Sequence, residues 1–425
     1  MDAHADRLEA EYLLETPLDP RKVADVLAGE QSSGTFVRVA GETDDLRARS
    51  RATVDRVEEL APVERPSLPS AWLARQRIGG PYRRARVTVS FPIANIEANL
   101  PTLAATVAGN LYDLGEATGV RLEALRIPAA YRARFERPRV GVDGTRARCG
   151  VPAGPLVGTI VKPNVGLSAD ATGALVAELC AAGVDFIKDD DVNANSAHAP
   201  IDARVKAVMR AVREWQQSSG KHVMVAFNIT DEHDAMLRHA ELVAREGGSC
   251  VMASLNWCGF SSIQALRRST DLALHGHRNG FGMFARDPAL GMGFQPYQLM
   301  WRLAGVDHMH VHGLQGKFAQ ADDEVIASAR DCLAPLADAN DRTDRVMPAF
   351  SSGQWAGTLP ATLAVVPTGD LLFMAGGGIL AHPGGPAAGV RSLRQAWDAT
   401  RDGRPLADAA RDAPELRDAL AFFGR

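Results

Sequence analysis

Cysteine pairs are missing from this sequence, although it contains five cysteines. No two of them stand in a C-x-x-C spacing, and their odd number leaves no complete disulfide framework. They are Cys149, Cys180, Cys250, Cys258 and Cys332. Widely spaced single cysteines are typical of reduced, buried thiols and argue against a structural zinc site. We therefore expect a cytoplasmic protein.

Long apolar runs and an excess of basic residues are also missing. No apolar stretch reaches the length of a membrane-spanning helix, and the first twenty residues carry acids without the apolar core of a signal peptide. The formal net charge is −4, which argues against a protein that binds a phosphate backbone. Hydrophobic residues make up 46% and charged residues 23%, a globular balance. The sequence predicts a protein that engages neither membranes nor nucleic acid.

A chain of 425 residues is longer than a single hydrophobic core usually accommodates, so we expect two domains. Residues 1–140 are predicted to form a smaller α+β domain of ferredoxin-like type, and residues 141–425 a larger one. The elements predicted in the first part are a helix from Asp19-Pro20 to Leu27, strands at Thr35–Val39 and Arg86–Phe91, a helix at Leu100–Leu114, and Leu122–Ile127. The Gly/Arg-rich segment Arg139–Gly154 shows no periodicity and is predicted to be a hinge.

From residue 141 onward, short β-rich runs alternate with helical patterns. The predicted strands are Leu156–Val161, Val184–Lys188, Val223–Ile229, Cys250–Leu255, Leu272–His277, His308–His312, Val346–Phe350 and Leu371–Ala375. The predicted helices between them include Ala169–Ala182, Ile201–Gln217, Asp231–Arg245 and Asp322–Leu333. Eight such repeats predict a closed (β/α)₈ TIM barrel. An open doubly wound sheet is the alternative, but no G-x-G-x-x-G follows an early strand.

The segment VDFIKDDD carries the most informative chemistry. A run of acids is ordinarily a solvated turn, but Lys188, Asp190 and Asp191 directly follow an apolar strand, which places them at the mouth of a barrel. Hard oxygen ligands at that position suit Mg²⁺. A lysine amine would repel the ion, whereas its reaction with CO₂ would yield a carbamate and a third oxygen ligand. The sequence therefore predicts Mg²⁺ held by a carbamate on Lys188 together with Asp190 and Asp191.

Histidines cluster on two later strands. His308, His310 and His312 alternate along one predicted strand, so all three are expected to point to one face, and His275 and His277 lie on the preceding strand. A His-x-His pair can hold zinc, and it can equally be two hydrogen-bonded histidines. A zinc hydrolase barrel with a carbamylated lysine would normally present the His-x-His pair on its first strand and the lysine on a later one. Here Lys188 comes before the histidines. The order found here counts against zinc.

Two places could bind anions. Glycines at Gly353 and Gly376–Gly378 expose backbone N–H groups that can hold a phosphate, although a glycine triplet is more often a tight turn. Arg278 and His310 could form a second anion site. Two anion sites beside a metal predict a ligand such as a bisphosphate or a phosphorylated sugar acid.

Taken together, these segments resemble the large subunit of ribulose-bisphosphate carboxylase (RuBisCO) and its non-carboxylating relatives, the RuBisCO-like proteins. The resemblance spans nearly the whole chain. The segments that carry it are EQSSGTF, Gly109-Asn110, RLEALRIP, GTIVKP, GVDFIKDDD, GVDHMHVHGLQGK, MPAFSSG and the GGG-x-L-x-HP-x-G run at Gly376–Gly385.

The resemblance implies a role for each matching residue. Lys188 would carry the carbamate, with Asp190 and Asp191 as the other metal ligands. The implied catalytic residues are Lys162, Lys188, His277, Lys317, Asn110 and Glu30. The implied distal anion site is Arg278, His310 and Ser351, and the implied phosphate site is Thr35, Gly353, Gly376 and Gly377. Because Glu30, Thr35 and Asn110 would serve the barrel of a partner subunit, the resemblance implies a homodimer with shared active sites.

Departures from the carboxylase pattern narrow the activity. Asn164 replaces a second lysine, Asp191 replaces a glutamate, and Phe36 replaces a tryptophan. Residues 311–315, which precede the loop lysine Lys317, also differ from those of the carboxylase. We therefore predict a RuBisCO-like protein that does not fix CO₂ on ribulose bisphosphate.

Retention of Lys317 indicates a substrate whose carboxylate lies next to the enolate. The leading hypothesis is Mg²⁺-dependent C–C cleavage, by a decarboxylase or a transcarboxylase/hydrolase, of a phosphorylated 3-oxo sugar acid such as 3-oxo-isoapionate 4-phosphate, through an enediolate. The alternative is an enolase or isomerase acting on a methylthio-sugar phosphate in methionine salvage. The third hypothesis is a binding protein without catalytic activity.

Overall fold

The computed structural model describes residues 6–34, 39–338 and 342–424. The chain folds into two compact units of unequal size. The first unit comprises Met1–Glu136, Gly280–Ala304 and Pro335–Asp341, and the second comprises Arg137–Asn279, Gly305–Ala334 and Arg342–Arg425. Within the described residues, no helix combines the length and the apolarity needed to cross a bilayer.

The strands of the described residues are numbered in chain order. They are β1 (Arg7–Thr16), β2 (Thr53–Val63), β3 (Tyr82–Pro92), β4 (Gly119–Arg126), β5 (Leu156–Ile160), β6 (Phe186–Lys188), β7 (Met224–Asn228), β8 (Cys250–Ser254), β9 (Ala273–His277), β10 (Leu290–Met292), β11 (His308–His310), β12 (Met347–Phe350) and β13 (Leu372–Met374).

The α-helices are numbered in the same way. They are α1 (Pro20–Glu30), α2 (Asp44–Ser50), α3 (Ala71–Gln76), α4 (Leu100–Val107), α5 (Ala129–Arg132), α6 (Gly141–Cys149), α7 (Ala169–Ala182), α8 (Ile201–Ser219), α9 (His233–Arg245), α10 (Leu255–Ser269), α11 (Gly282–Ala285), α12 (Phe294–Leu303), α13 (Asp322–Leu333), α14 (Leu359–Val365), α15 (Gly376–Leu380), α16 (Gly385–Arg401), α17 (Leu406–Ala409) and α18 (Pro414–Phe423).

The first unit is built on a five-stranded sheet in the order β10-β4-β1-β3-β2. Its central strand β1 buries alternate side chains, including Leu8, Tyr12 and Leu14, because successive residues of a strand point to opposite faces. Helix α1 packs against β1, β2 and β3, and the Asp19 side chain caps it by accepting a hydrogen bond from the Arg21 N–H at 2.9 Å. The predicted α+β character of this part is confirmed.

The second unit is a closed barrel of parallel strands in the order β11-β12-β13-β5-β6-β7-β8-β9. Its strands are short and buried on both faces, which is why each one reads as an almost unbroken apolar run. All eight predicted strands are present with ends shifted by one or two residues, and helices α7 and α13 match their predicted bounds. The predicted (β/α)₈ barrel is therefore confirmed, and the open-sheet alternative is wrong.

Several predictions for the part of the chain before the first barrel strand need correction. Strands β1 and β2 were not predicted, and the helix expected at Leu100–Leu114 ends at Val107 as α4. Of the strand predicted at Thr35–Val39, the first four residues lie outside the described part of the chain, and Val39 is not in a strand.

The predicted hinge at Arg139–Gly154 contains helix α6. The buried carboxylate of Asp307 accepts the backbone N–H groups of Val140 and Gly141, at 2.7 and 2.9 Å, and so binds the start of the helix. Gly150 ends it in the left-handed conformation with φ of 67°. Because Asp307 lies immediately before β11, α6 lies at the amino ends of the barrel strands.

Candidate active site

Lys188 is the last residue of β6 and is buried in the barrel. Its Nζ donates a hydrogen bond to the backbone oxygen of Asp189 at 2.7 Å. Burial lowers the pKa of Lys188 to about 8, against the opposing effect of the carboxylates of Asp190, Asp191 and Asp189. The amine is therefore neutral far more often than an exposed lysine near neutral pH, and carbamate formation requires the neutral form.

The three acids that follow Lys188 have different surroundings. Asp189 is buried, and its Oδ2 accepts hydrogen bonds from Arg204 Nε at 3.2 Å and from the Asn228 N–H at 3.0 Å. Asn228 Nδ2 also donates to the backbone oxygens of Asp190 and Asp191, each at 3.0 Å. The run is thus held by β7, with the Asp189 carboxylate directed to Arg204.

Asp190 contacts the lysine that follows the first barrel strand. Lys162 Nζ lies 2.6 Å from Asp190 Oδ2 and donates a second hydrogen bond to Asn164 Oδ1 at 2.7 Å. Asp190 is buried and the side chain of Lys162 is partly exposed. Asn164 is one of the residues that depart from the carboxylase pattern. Together with Asp190, it holds the Lys162 ammonium group in position.

Asp191 contacts the end of β9. Its Oδ1 lies 3.9 Å from His277 Nε2, and its Oδ2 accepts a hydrogen bond from Asn279 Nδ2 at 3.2 Å. The backbone N–H of Asn279 donates to His277 Nδ1 at 3.3 Å, so a neutral His277 carries its proton on Nε2, toward Asp191. Burial lowers the pKa of His277, with Lys188 as the next cause, so the ring is neutral.

These donors fit the expected metal. Among the described residues no group of three His, Cys, Asp or Glu side chains is arranged to hold an ion, and the two carboxylates of Asp190 and Asp191 follow directly on Lys188. Lys188, Asp190 and Asp191 would together offer one carbamate and two carboxylates, which are hard oxygen ligands that suit Mg²⁺.

Histidines of β9 and β11 bond to each other inside the barrel. His275 Nε2 lies 2.7 Å from His310 Nε2, and His275 Nδ1 lies 3.2 Å from His308 Nδ1. His310 Nδ1 lies 3.2 Å from Ser351 Oγ. The ring nitrogens of these residues are engaged in hydrogen bonds, which favours the hydrogen-bonded reading over a zinc pair.

His312 does not continue the strand, contrary to the prediction that it shares a face with His308 and His310. Strand β11 ends at His310, and His312 adopts a φ of 64°, in the left-handed region that few non-glycine residues occupy. Its ring packs on Phe318 with centroids 4.8 Å apart. Nearby, Arg278 Nη2 donates a hydrogen bond to Gln320 Oε1 at 2.6 Å.

The loop after β11 lies against the segment after β12. A Cβ on Gly313 would stand 2.0 Å from Gln354 Nε2, and Gln354 Nε2 donates to the backbone oxygen of Leu314 at 3.1 Å. The backbone nitrogen of Lys317 is 3.7 Å from where a Cβ of Gly353 would stand. The loop lysine and this glycine are therefore neighbours.

The last glycine run forms the first turn of the five-residue helix α15. A Cβ on Gly377 would meet no atom within 4 Å, so this backbone borders open space. The first N–H groups of a helix lack partners within it, which leaves them available to a ligand. This arrangement suits the predicted phosphate site at Gly376 and Gly377.

The predicted residues of the first unit form one contact. Asn110 Nδ2 donates to Glu30 Oε1 at 3.4 Å, and both side chains are exposed. Thr35 and Phe36 lie outside the described residues.

Sequence reasoning missed two residues at the site and one, Thr145, that contacts the histidines from the amino ends of the strands. Asn279 orients both Asp191 and His277, Gln320 contacts Arg278, and Thr145 hydrogen-bonds His308 at 2.7 Å. Asn279 could have been found from its place two residues beyond the end of β9. Gln320 and Thr145 are brought to their partners only by the fold, and their sequence contexts carry no signal.

Comparison with known proteins places this geometry in a family. Residues 141–423 match the ribulose bisphosphate carboxylase large chain catalytic domain, and residues 5–131 match its N-terminal domain. The chain is 46% identical to a 3-oxo-isoapionate-4-phosphate transcarboxylase/hydrolase of Xanthobacter autotrophicus, over 99% of this chain and 100% of that one. It is 40% identical to a 3-oxo-isoapionate-4-phosphate decarboxylase of Rhizobium rhizogenes, over 97% of each.

A solved structure is similar along nearly its whole length. The crystal structure of a RuBisCO-like protein from Burkholderia fungorum is 68% identical, with a TM-score of 0.93, and the match covers 98% of this chain and all of that one. The chain therefore belongs to the ribulose bisphosphate carboxylase large-chain family, and its close relatives are RuBisCO-like proteins.

Proposed function

We propose that this protein cleaves a carbon–carbon bond of a phosphorylated 3-oxo sugar acid such as 3-oxo-isoapionate 4-phosphate, as a decarboxylase or a transcarboxylase/hydrolase. The observation that supports this most is the constellation of Lys188, Asp190, Asp191 and Lys162 at adjacent strand ends. Relatives of 46% and 40% identity carry names that state this chemistry.

The metal site would act on the ketone. Mg²⁺ held by the Lys188 carbamate, Asp190 and Asp191 would supply Lewis-acid stabilisation of the negative charge that develops on the ketone oxygen. Asn228 and Asn279 hold the backbone and the carboxylate of this ligand set in place.

Lys162 is placed to move the proton. In decarboxylation the bond between the α-carbon and the carboxyl carbon breaks, CO₂ leaves, and the electron pair remains on the α-carbon next to the ketone. That carbon must then gain one proton. Lys162 carries an ammonium group held by Asp190 and Asn164, and it is the donor that we assign to this step.

The remaining side chains bind and orient the substrate. We assign the phosphate to the backbone of Gly353, Gly376 and Gly377, and the carboxylate to Lys317, whose backbone lies beside Gly353. His277, neutral with its proton on Nε2, can donate a hydrogen bond without adding charge.

The functional unit that we propose is a homodimer. Glu30 and Asn110, paired in the first unit, would serve the barrel of the partner subunit, as the family resemblance implies.

The direct test is turnover. Purified protein with Mg²⁺ and bicarbonate is incubated with 3-oxo-isoapionate 4-phosphate, and products are followed by ¹³C NMR. We expect CO₂ or a cleaved carboxylic acid to form, and the Lys188→Ala variant to form neither. A methylthio-sugar phosphate is the comparison substrate; its selective conversion would replace this proposal with an enolase or isomerase.

A further inference from the structure

A buried glutamine joins two neighbouring loops at the mouth of the barrel. Gln354, which follows β12, is 1% exposed. We call residues 311–317, which end at Lys317, the lysine loop. Gln354 Nε2 donates a hydrogen bond to the backbone oxygen of Leu314 in this loop at 3.1 Å and lies 3.5 Å from the backbone oxygen of Ser352. The opposite orientation of the amide would place its oxygen against these two carbonyl oxygens, so the side chain is fixed as a donor to the loop.

The backbones of the two loops also touch. The Ser351 N–H donates a hydrogen bond to the backbone oxygen of His312 at 3.2 Å. A Cβ on Gly316 would stand 2.9 Å from the backbone oxygen of Ser352, closer than a side chain tolerates. Glycine is therefore required where the lysine loop lies on the segment after β12.

The lysine loop is bonded to the helix that follows it as well. The Gln315 N–H donates a hydrogen bond at 2.8 Å to Oδ1 of Asp322, the first residue of α13. Gln315 and His312 have φ of 52° and 64°, a region that non-glycine residues occupy only where surrounding contacts hold them there. The loop backbone thus makes hydrogen bonds with Gln354, Ser351 and Asp322. All of these bonds lie within the chain, so they need no ligand.

The position of Lys317 depends on these bonds. Its backbone follows Gly316 directly, and its Nζ lies 5.3 Å from the centre of the Phe318 ring, which packs on the ring of His312. A cation over an aromatic face is attracted to it. The ammonium group is thus held relative to the loop, and the loop is held by Gln354. Misplacing a reacting group by about 1 Å can lower a rate roughly a hundredfold.

We propose that Gln354 is a positioning residue for Lys317. It fastens the lysine loop to the segment after β12, so the lysine is in place before the substrate binds and does not arrive on a moving loop. This inference rests on the proposed function for the role of the ammonium group, and it deepens that function by naming the residue that places the group. The fastening itself can be measured without turnover.

Hydrogen exchange measures the fastening directly. Amide exchange of the full-length protein without ligand is followed by mass spectrometry in peptides that cover the lysine loop. Gln354→Met keeps the length of the side chain and removes the donor, so exchange in these peptides should become about tenfold faster, the scale of one buried hydrogen bond. Unchanged exchange in folded Gln354→Met protein would overturn the proposal, whether or not the enzyme cleaves 3-oxo acids.

A matched variant controls for a general loss of stability. Gln295 Nε2 donates a hydrogen bond to the backbone oxygen of Leu125 at 3.0 Å in the first unit, so Gln295→Met removes a bond of the same kind and should leave exchange in the lysine loop unchanged. The wild-type protein gives a further test that needs no variant. Its lysine loop should exchange more slowly than the same sequence in an unfolded peptide, and equal rates would refute the fastening.

A double-mutant cycle tests the link to Lys317. With 3-oxo-isoapionate 4-phosphate, Gln354→Met should lower kcat by about tenfold at nearly constant KM. In the Lys317→Met background it should lower kcat no further, because the group that it positions is gone. An equal loss in both backgrounds would overturn the proposal. No turnover by the wild type would instead refute the proposed function, and the exchange measurements would still decide whether Gln354 fastens the loop.

Discussion

The ammonium group of Lys162 lies 2.6 Å from Oδ2 of Asp190, so a lysine from the first barrel strand end contacts a carboxylate from the second. An ion bound by Asp190 would compete with this cation. Lys162→Met should therefore bind Mg²⁺ more tightly, by roughly tenfold, while losing turnover. Calorimetric titration with Mg²⁺ measures the first effect. Asn164→Ala, which keeps the ammonium group, is the control; weaker Mg²⁺ binding by Lys162→Met would exclude competition.

Carbamate formation on Lys188 should depend on pH. Because the folded pKa is lowered to about 8, the neutral amine becomes the major form as the pH rises through that value. We expect a carbamate signal in ¹³C NMR with labelled bicarbonate that grows between about pH 7 and about pH 9 and strengthens with Mg²⁺. Lys188→Arg, which keeps a cation but cannot form the carbamate, should show none. A signal of equal size in that variant would place the carbamate elsewhere.

Adjacent acids should behave differently when neutralised. Asp189→Asn breaks a buried pair with Arg204 and should lower the free energy of unfolding by about 3–5 kcal/mol, measured by urea denaturation. Asp398→Asn, at an exposed pair with Arg401, is the control and should change it by less than about 1 kcal/mol. Asp190→Asn should instead weaken Mg²⁺ binding. Loss of Mg²⁺ binding in a folded Asp189→Asn protein would assign that carboxylate to the metal.

Lys317 should affect the chemical step. Lys317→Met keeps length and removes the charge, so kcat on a phosphorylated 3-oxo acid should fall by roughly two orders of magnitude, the scale of one lost electrostatic stabiliser. Steady-state kinetics separates this from binding. A rise in KM at constant kcat would mean that Lys317 binds the phosphate and not the departing carboxylate.

Shared active sites can be tested by complementation. Asn110→Ala and Lys188→Ala chains, each inactive alone, should recover about a quarter of wild-type activity when mixed, because half of the dimers are hybrids with one intact site of two. Mixing two Lys188→Ala preparations is the control. An active monomer by light scattering would contradict the proposed homodimer.

The barrel was predictable because its strands are buried on both faces and each ends in polar residues. VDFIKDDD shows both signals within eight letters. Strand β1, in contrast, alternates in burial, but its Glu, Ala and Leu residues are good helix formers, and pairing with β3 and β4 overrides that preference. Helix α6 depends on Asp307, which is more than 150 residues away in sequence.

At the site, the types of residue were easier to predict than the orientations of their side chains. The spacing of His308, His310 and His312 suggested one face, but the backbone turns at His312 with a positive φ. Asp189 could not be separated from Asp190 by sequence, because only the fold brings Arg204 to it.

Strand β10 comes from the middle of the barrel sequence and pairs in parallel with β4 of the first unit's sheet. The polypeptide therefore passes between the two units at several points, and no single cut in the gene separates them. A chimera joined at residue 140 would combine a β4 from one parent with a β10 from the other. Recombination within this family should accordingly succeed most often when residues 280–304 are inherited together with the N-terminal segment.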